Sequence, residues 1–560
     1  MTRILAKHAK NDSRFTARDI KLGNHEGSDK PTGSSAPLMS LCVVLSRITG
    51  FARTWAMAYA IGATFLSSSY QVANNLPNML YELVMGGMLV TAFLPVYVSV
   101  KNKLGKTEGN KYASNLLSIV VLILGIVAAL GMIFPSAIIY TQSFYSDQET
   151  MGTAILLFQF FAIQTVFYGG SSIFSGLLNA NRDYLWSSIA PVFNNLIVII
   201  TFIIYAVVAP INPELALYII AIGNPLGVFV QMVIQIPALK RNGIVLRPII
   251  DLRDPFLNET LKLGIPAFLV MIFSFVTVSV MNAASYAFAD NGPSIIVYAR
   301  LWYTLPYSFL AIPITTELFT ELSHLISKKS INEACETITW GISQIMFLLV
   351  PFMLYLIVFS YPLVCIYHIG AFTMDDVGMI ASYLAALSLA LPFYGVNAYL
   401  QKIFSSLRAM GAFAIMMAVA SIIQVALTMG AVSAAEAGYP ITIESVAIAS
   451  AIFYVIADAA SLVYLKRKLG HIGMMRIVRA TVLGLILGIA GAAGGAGVLW
   501  ALQSFIAPLD GSIWQAMGYV VAGGIVSLII TFGASAKLKV KEADLVLSMV
   551  GKLTRRLRRR

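Results

Sequence analysis

The sequence predicts an all-α integral membrane protein of about fourteen transmembrane helices. Three observations carry that prediction. Charge is scarce, apolar runs of membrane-spanning length recur along almost the whole chain, and the loops between them alternate between basic and basic-free. Of 560 residues, 58% are hydrophobic and 11% charged, against about 25% charged in a soluble domain. So few charges cannot cover a globular surface, which leaves the bilayer as the solvent. No apolar run alternates with the period of two that a membrane β-barrel needs, so the runs read as helices.

Residues 1–36 are polar and of mixed charge. They lack the apolar core and cleavage site of a signal peptide and read as a disordered cytoplasmic tail. The first six spans are expected near 37–61, 68–100, 112–141, 151–178, 184–208 and 215–239. The next six are expected near 256–289, 294–326, 334–360, 376–405, 410–433 and 443–465, and the last two near 475–503 and 513–536. Residues 537–560 form a basic cytoplasmic tail.

Loop charge tests the count. With the amino terminus inside, the inside segments hold Lys101, Lys103, Lys106, Lys111, Arg182, Lys240, Arg241, Arg247 and Arg253. They continue with Lys328, Lys329, Arg408, Lys466, Arg467, Lys468 and the arginines from Arg555 onward. The outside loops carry Asp147, Glu149, Asp290, Asp375, Asp376, Glu436 and Asp510, and no Lys or Arg. This is a positive-inside pattern, and it predicts that both termini are cytoplasmic. The formal charge of +12 therefore reflects topology: the basic residues face anionic lipid headgroups, not nucleic acid. Cys42, Cys335 and Cys365 read as separate buried thiols, and the five histidines form no ligand pattern, so no metal or cofactor is expected.

Several charges fall within spans, where each costs about 2.5–3.5 kcal/mol on insertion scales. Arg47 and Arg53 lie in span 1, Glu82 in span 2 and Arg300 in span 8. Lys402 and Asp458 lie nearer the cytoplasmic ends of their spans and read as snorkelling or locally paired. Arg47 and Arg53 point about 120° apart on a helix and would line one broad wall. Guanidinium forks match phosphate oxygens in bidentate fashion, so these arginines suit a pyrophosphate. The competing reading is structural, with Glu82 neutralising one of them. Span 2 also holds Asn74, Asn75, Pro77 and Asn78, then Gly86 and Gly87. The proline removes a backbone donor, and the asparagines could rebond the freed carbonyl or line a cavity. Leu305-Pro306 in span 8 matches Leu76-Pro77 in span 2, as an internal duplication of six-helix halves would give. The small residues from Gly484 to Trp500 in span 13 read chiefly as close helix packing.

Several stretches together resemble the MurJ (MviN) family of lipid II flippases. They are SRITGFAR (Ser46–Arg53), LPNML (Leu76–Leu80), AFLPV (Ala92–Val96), APVFNN (Ala190–Asn195), RPIIDLRDP (Arg247–Pro255), YARLWYTLP (Tyr298–Pro306) and GAFT (Gly370–Thr373). The set is colinear over roughly residues 38–470. The resemblance implies two six-helix lobes around a central cavity, at 37–240 and 256–466, with two extra helices at 475–536. It implies a fold of the multidrug/oligosaccharidyl-lipid/polysaccharide exporter superfamily. It also implies alternating-access transport of undecaprenyl-pyrophosphate-linked peptidoglycan precursor, the pyrophosphate in a cationic cavity and the lipid tail outside it. On that footing Ser46, Arg47, Arg53, Arg300, Asn74, Asn75 and Asn78 are the expected substrate-binding residues, with Glu82 gating or coupling.

The chain departs from the family pattern in its charges. Thr54 stands where the family often has Asp, Ser67–Ser69 replace an acid, and Tyr81-Glu82 replace basic residues. Gly86-Gly87 replace a Glu-Gly pair, and Arg300-Leu301 shift the arginine by one position. These changes keep open a flippase for another polyprenyl-linked glycan, or a drug or metabolite antiporter with Glu82 as its acid. An enzyme would want catalytic or metal-binding acids in a sizeable loop. Asp375-Asp376 read instead as a solvated turn, so no enzyme is expected. No coupling ion is indicated.

Overall fold

The computed structural model describes residues 35–83, 93–544 and 546. The expected tails (apart from Ser35, Ala36 and the residues up to 544), Gly86, Gly87 and Ala92 lie outside that set. Among the described residues every regular element is helical.

The first part of the chain forms α1 (Ser35–Ile61), α2 (Phe65–Tyr81), α3 (Leu94–Leu104), α4 (Lys106–Ile133) and α5 (Pro135–Ser143). It continues with α6 (Gln148–Phe161), α7 (Gln164–Ala180), α8 (Tyr184–Val208), α9 (Pro213–Val233) and α10 (Ile236–Arg241). A non-helical strap, residues 244–254, leads to α11 (Pro255–Tyr286), α12 (Gly292–Pro306) and α13 (Ile312–Ser327). Then come α14 (Ile331–Val358), α15 (Ser360–Cys365), α16 (Met374–Ser388), α17 (Leu391–Ser406), α18 (Met410–Glu436) and α19 (Glu444–Leu469). Last are α20 (Met474–Phe505) and α21 (Ile513–Lys537). Among the described residues, nine helices are long and apolar enough to cross a membrane, or up to eleven if each bent pair is one span. The bent pairs are α6–α7, at 44°, and α16–α17, at 51°. The remaining expected spans fall on α1, on α2 with α3, and on α11.

Helix starts follow capping chemistry. Thr64, Asp147 and Asn212 accept from the backbone N–H groups of Ser67, Thr150 and Leu215, at 3.4, 2.8 and 3.0 Å. Thr373 and Asp376 form a reciprocal capping box on α16, and Asp376 is buried. Of the expected solvated turn at Asp375-Asp376, Asp375 is exposed, whereas Asp376 is part of a helix cap worth about 1 kcal/mol. Both Leu-Pro helices lose α-regularity just past the proline. α2 runs through Pro77 to π-type turns at Glu82 and Leu83. α12 ends at Pro306 and passes into a π-helix, Tyr307–Ala311. A proline cannot supply the N–H that closes the ladder, and a wider turn absorbs the defect.

In the first group α1 packs on α8, α8 on α9, α2 on α6 and α4 on α7. In the second α11 packs on α18, α18 on α19, α12 on α16 and α14 on α17. α20 lies between α14 and α21. A Cβ on Gly488 would meet Pro351 Cα at 2.9 Å, and one on Gly495 would meet Ser527 Oγ at 2.1 Å. These glycines serve close helix packing, as their spacing suggested. The outer faces are apolar, with Phe505 and Trp514 80% and 81% exposed at the α20–α21 turn. Such rings suit a membrane–water interface.

The strap is zipped onto α4. Backbone N–H groups of Arg247, Ile249 and Asp251 donate to Ser114 Oγ, Ser118 Oγ and Asn115 Oδ1 at 3.1, 3.0 and 2.7 Å. Asn115 Nδ2 returns a bond to Asp251 O at 2.9 Å.

The two groups meet at the end whose loops lack Lys and Arg. Trp55 Nε1 donates to Ile366 O (3.0 Å), Tyr298 OH to Gly62 O (2.9 Å) and Asn291 Nδ2 to Ala63 O (2.7 Å). Ser68 and Ser294 hydroxyls bond at 3.0 Å, and Ala371 N–H donates to Tyr59 O at 3.1 Å. Gly62 and Gly370 adopt φ of +61°. A Cβ on them would sit 2.3 Å from Ala371 O and 2.2 Å from Tyr59 O. Both the left-handed backbone and the close approach require glycine there.

Candidate functional site

The span-1 arginines are positioned by α8. Asn195 Nδ2 donates to Thr49 Oγ1 at 3.1 Å and to Ser46 O at 3.4 Å, which fixes the rotation of α1. The two arginines then diverge. Arg53 is half-buried and interacts electrostatically with Tyr70 of α2 and Tyr168 of α7. Arg47 is exposed and interacts with Tyr307 in the π-turn of the second group. Arg300 is exposed on α12 and interacts with Tyr303, Tyr383 and Tyr454. Arg47, though on α1, thus has an electrostatic neighbour in the second group, as Arg300 does, and Arg53 has its neighbours in the first.

Glu82 forms no ion pair with these arginines among the described residues. It is exposed, accepts from Asn78 Nδ2 at 3.0 Å, and shares Tyr168 with Arg53 as an electrostatic neighbour. The ion pairs among the described residues are Arg241–Asp183 at 2.9 Å and Arg476–Glu542 at 3.7 Å, neither of which involves these groups.

The asparagines of α2 face different partners. Asn74 accepts from Asn224 Nδ2, and Asn224 Oδ1 accepts from Tyr70 OH at 2.9 Å. Asn75 Nδ2 lies 3.2 Å from Met79 Sδ. The first group also holds an amide and hydroxyl network that sequence reasoning did not assign. Asn194 Nδ2 donates to Gln231 Oε1 at 3.0 Å, Ser175 Oγ donates to Gln235 Oε1 at 2.9 Å, and Tyr81 bonds Ser172. The available signal was the spacing of Asn224, Gln231 and Gln235 on one face of an apolar helix.

The second group carries a tyrosine cluster. Tyr303 and Tyr394 lie 5.6 Å apart by ring centroids, Tyr307 and Tyr394 4.6 Å, and Tyr394 and Tyr454 5.4 Å. One turn beyond Tyr454, Asp458 is 4% exposed and does not snorkel. Its Oδ1 accepts from Asn397 Nδ2 at 2.9 Å, while its Oδ2 has no partner. Lys402 donates to Thr315 Oγ1 at 3.0 Å and Thr316 Oγ1 at 3.2 Å. Cys42, Cys335 and Cys365 are free and buried. An apolar groove of about 290 Å³ runs beside α12, α14 and α21, and Trp302, Phe309, Phe359 and Leu528 help to line it.

Comparison with known proteins adds the following. The family model described as "Lipid II flippase MurJ" matches residues 57–510, so Arg47 and Arg53 lie just ahead of the matched stretch. The lipid II flippase MurJ of Burkholderia cenocepacia is 26% identical over 356 residues, covering 62% of this chain and 68% of that protein. The probable lipid II flippase MurJ of Borreliella burgdorferi is 25% identical over 382 residues, covering 67% and 72%. A solved structure titled as lipid II flippase MurJ in an inward closed conformation has a TM-score of 0.70 at 21% identity, covering 90% of this chain and 100% of that one. An inward-facing multidrug-resistance MATE transporter has a TM-score of 0.60 at 13% identity, covering 74% and 98%. These structures share the fold of this chain.

Proposed function

The chain belongs to the lipid II flippase MurJ family, and from that membership we propose that it moves lipid II from the inner to the outer leaflet of the bacterial cytoplasmic membrane. It is a multi-pass membrane protein, and both termini are cytoplasmic. It acts by alternating access between an N-terminal lobe at 37–240 and a C-terminal lobe at 256–466, with about fourteen spans in all. It works on an undecaprenyl-pyrophosphate-linked peptidoglycan precursor as a transporter, without making or breaking bonds.

The observation that carries this reading is electrostatic. Arg47, Arg53 and Arg300 sit at membrane depth and form no ion pair among the described residues. Three such cations cost roughly 8–10 kcal/mol before compensation. A pyrophosphate held by guanidinium forks from both lobes supplies that compensation through charge-assisted bonds. Because Arg47 and Arg53 stand on the N-terminal lobe and Arg300 on the C-terminal one, one anion between them would draw the lobes together. Ser46 and the asparagines 74, 75 and 78 line the same cavity, and Glu82 gates or couples it. The apolar groove beside α12, α14 and α21 gives part of the lipid tail a path outside the cavity.

The test is depletion-rescue in cells lacking their own lipid II flippase, with lipid II accessibility read on the outer face. Rescue with outer-face lipid II is expected. Normal expression without rescue would refute lipid II as the substrate and favour a different polyprenyl-linked glycan, which the Tyr81-Glu82 substitution keeps in view. Full activity in an Arg47→Ala, Arg53→Ala double variant would sink the anion site.

A further inference from the structure

We propose that Tyr303, Tyr307, Tyr394 and Tyr454 form a sugar-binding platform, a subsite for the face of a pyranose ring in the substrate's glycan. This rests on the reading of the chain as a carrier of lipid-linked glycans, and it names which part of the ligand the second lobe holds.

The four rings come from α12, the π-turn, α17 and α19, and converge within 4.6–5.6 Å of one another in sequence through Tyr394. Four separate elements supply them, so the cluster lies inside the lobe. Packing alone does not account for it. The Tyr303 hydroxyl is buried and has no partner, and a buried hydroxyl left unbonded is destabilising where Phe would be neutral. Tyr307 and Tyr394 remain half-exposed, so the cluster has an open face. Tyr367 and Tyr383 also have unpartnered hydroxyls, but both are fully enclosed.

Ring chemistry selects the ligand. An aromatic face is electron-rich, so it repels a phosphate and attracts the electron-poor C–H bonds on one face of a pyranose. The sugar's hydroxyls then need polar partners beside the rings. The Tyr303 hydroxyl offers one. Asn397 lies one turn from Tyr394, and Asp458, one turn from Tyr454, keeps an unpartnered Oδ2. Arg47 and Arg300 flank the rings, through Tyr307 and through Tyr303 and Tyr454. A pyrophosphate on the arginines would therefore place the first sugar beside the rings. The π-turn sets this spacing, because its wider turn re-aims Tyr307 toward Tyr394.

The full-length protein in lipid nanodiscs tests the platform with two probes, undecaprenyl pyrophosphate and undecaprenyl-pyrophosphoryl-N-acetylglucosamine. They differ only by the sugar, so the ratio of their affinities isolates its contribution. The wild type should favour the sugar-bearing probe about tenfold. Tyr394→Leu and Tyr307→Leu should pull that ratio toward one, and Tyr394→Phe should keep most of it. A general packing defect would weaken both probes together and leave the ratio unchanged. A wild-type ratio of one, or an unchanged ratio in the Tyr307→Leu, Tyr394→Leu double variant, would overturn the platform. The transport reading fails separately: absence of rescue with an intact, tyrosine-dependent ratio removes lipid II as cargo and leaves the sugar platform standing.

Discussion

At the scale of single residues, guanidinium geometry and carboxylate placement make separate predictions. Lysine keeps the charge of Arg53 but loses its fork, so Arg53→Lys should lower transport partially. Arg53→Ala should lower it about ten- to hundredfold, the worth of a charged hydrogen bond. Glu82 bonds Asn78 and pairs with no arginine among the described residues. Glu82→Gln should therefore leave the thermal unfolding midpoint within a few degrees of wild type, and any defect should show in transport. A large loss of stability in that variant would restore the ion-pair role. The arginines and asparagines were legible in sequence because polar groups stand out in apolar spans. Their partners were not. Whether Arg47 and Arg53 share a wall depends on how α8 rotates α1, and the residue that sets this, Asn195, is remote in sequence. The tyrosine cluster was hidden for a related reason: tyrosine is common in membrane proteins, and the cluster assembles from four elements.

At the scale of elements, the helix ends show topology overriding backbone preference. Arg182, Lys329, Arg408 and Lys539 have φ of +60°, +62°, +51° and +52°. Each follows a helix C-cap and closes the paired bonds of a Schellman turn, as in Arg182 N–H to Asn179 O and Asp183 N–H to Leu178 O, both 3.0 Å. Glycine is the usual residue at that position, and a side chain there costs roughly 1–2 kcal/mol. All four lie at the basic end, whereas Gly438 fills the same role at the other. A cation beside the helix C-terminus and the anionic headgroups offsets the strain. Arg182→Gly should therefore raise the thermal midpoint in detergent, where the headgroups are gone, and lose that gain in anionic nanodiscs. At the seam, Gly370→Ala should force Tyr59 away, so a cysteine in place of the buried Ser294 should react severalfold faster with a soluble thiol reagent. Unchanged reactivity would mean that the glycine approach does not hold the seam.

At the scale of the whole molecule, orientation is the outstanding prediction. Cysteines placed at Asp147, Asp290 and Asp510 should react with an impermeant reagent applied outside intact cells, and one at Lys103 or Lys328 should not. Outside labelling at Lys103 would invert the orientation. The helical class and family were legible because hydropathy and motif order are properties of the linear chain. The number of crossings was less so. α6–α7 and α16–α17 bend too sharply to count as simple spans, and a bend depends on what a helix packs against. The role of Asp376 was missed for the same reason: a turn looks solvated until its neighbours are known.

The strap bound to α4 bears on whether the protein must be a single polypeptide at all. Its bonds to Ser114, Asn115 and Ser118 are made by backbone groups of residues 247–251, so they survive a chain break placed upstream. Cut between Asn242 and Gly243, the second fragment keeps a clasp that recognises the first. Cut between Arg253 and Asp254, the clasp stays on the first fragment, and of the Asn115 bonds the second keeps only the one to the Asp254 carboxylate, at 3.2 Å. Co-expressed fragments from the first cut should co-purify and complement, and those from the second should do so far less well, because only the first pair replaces a covalent tether with a preformed docking segment.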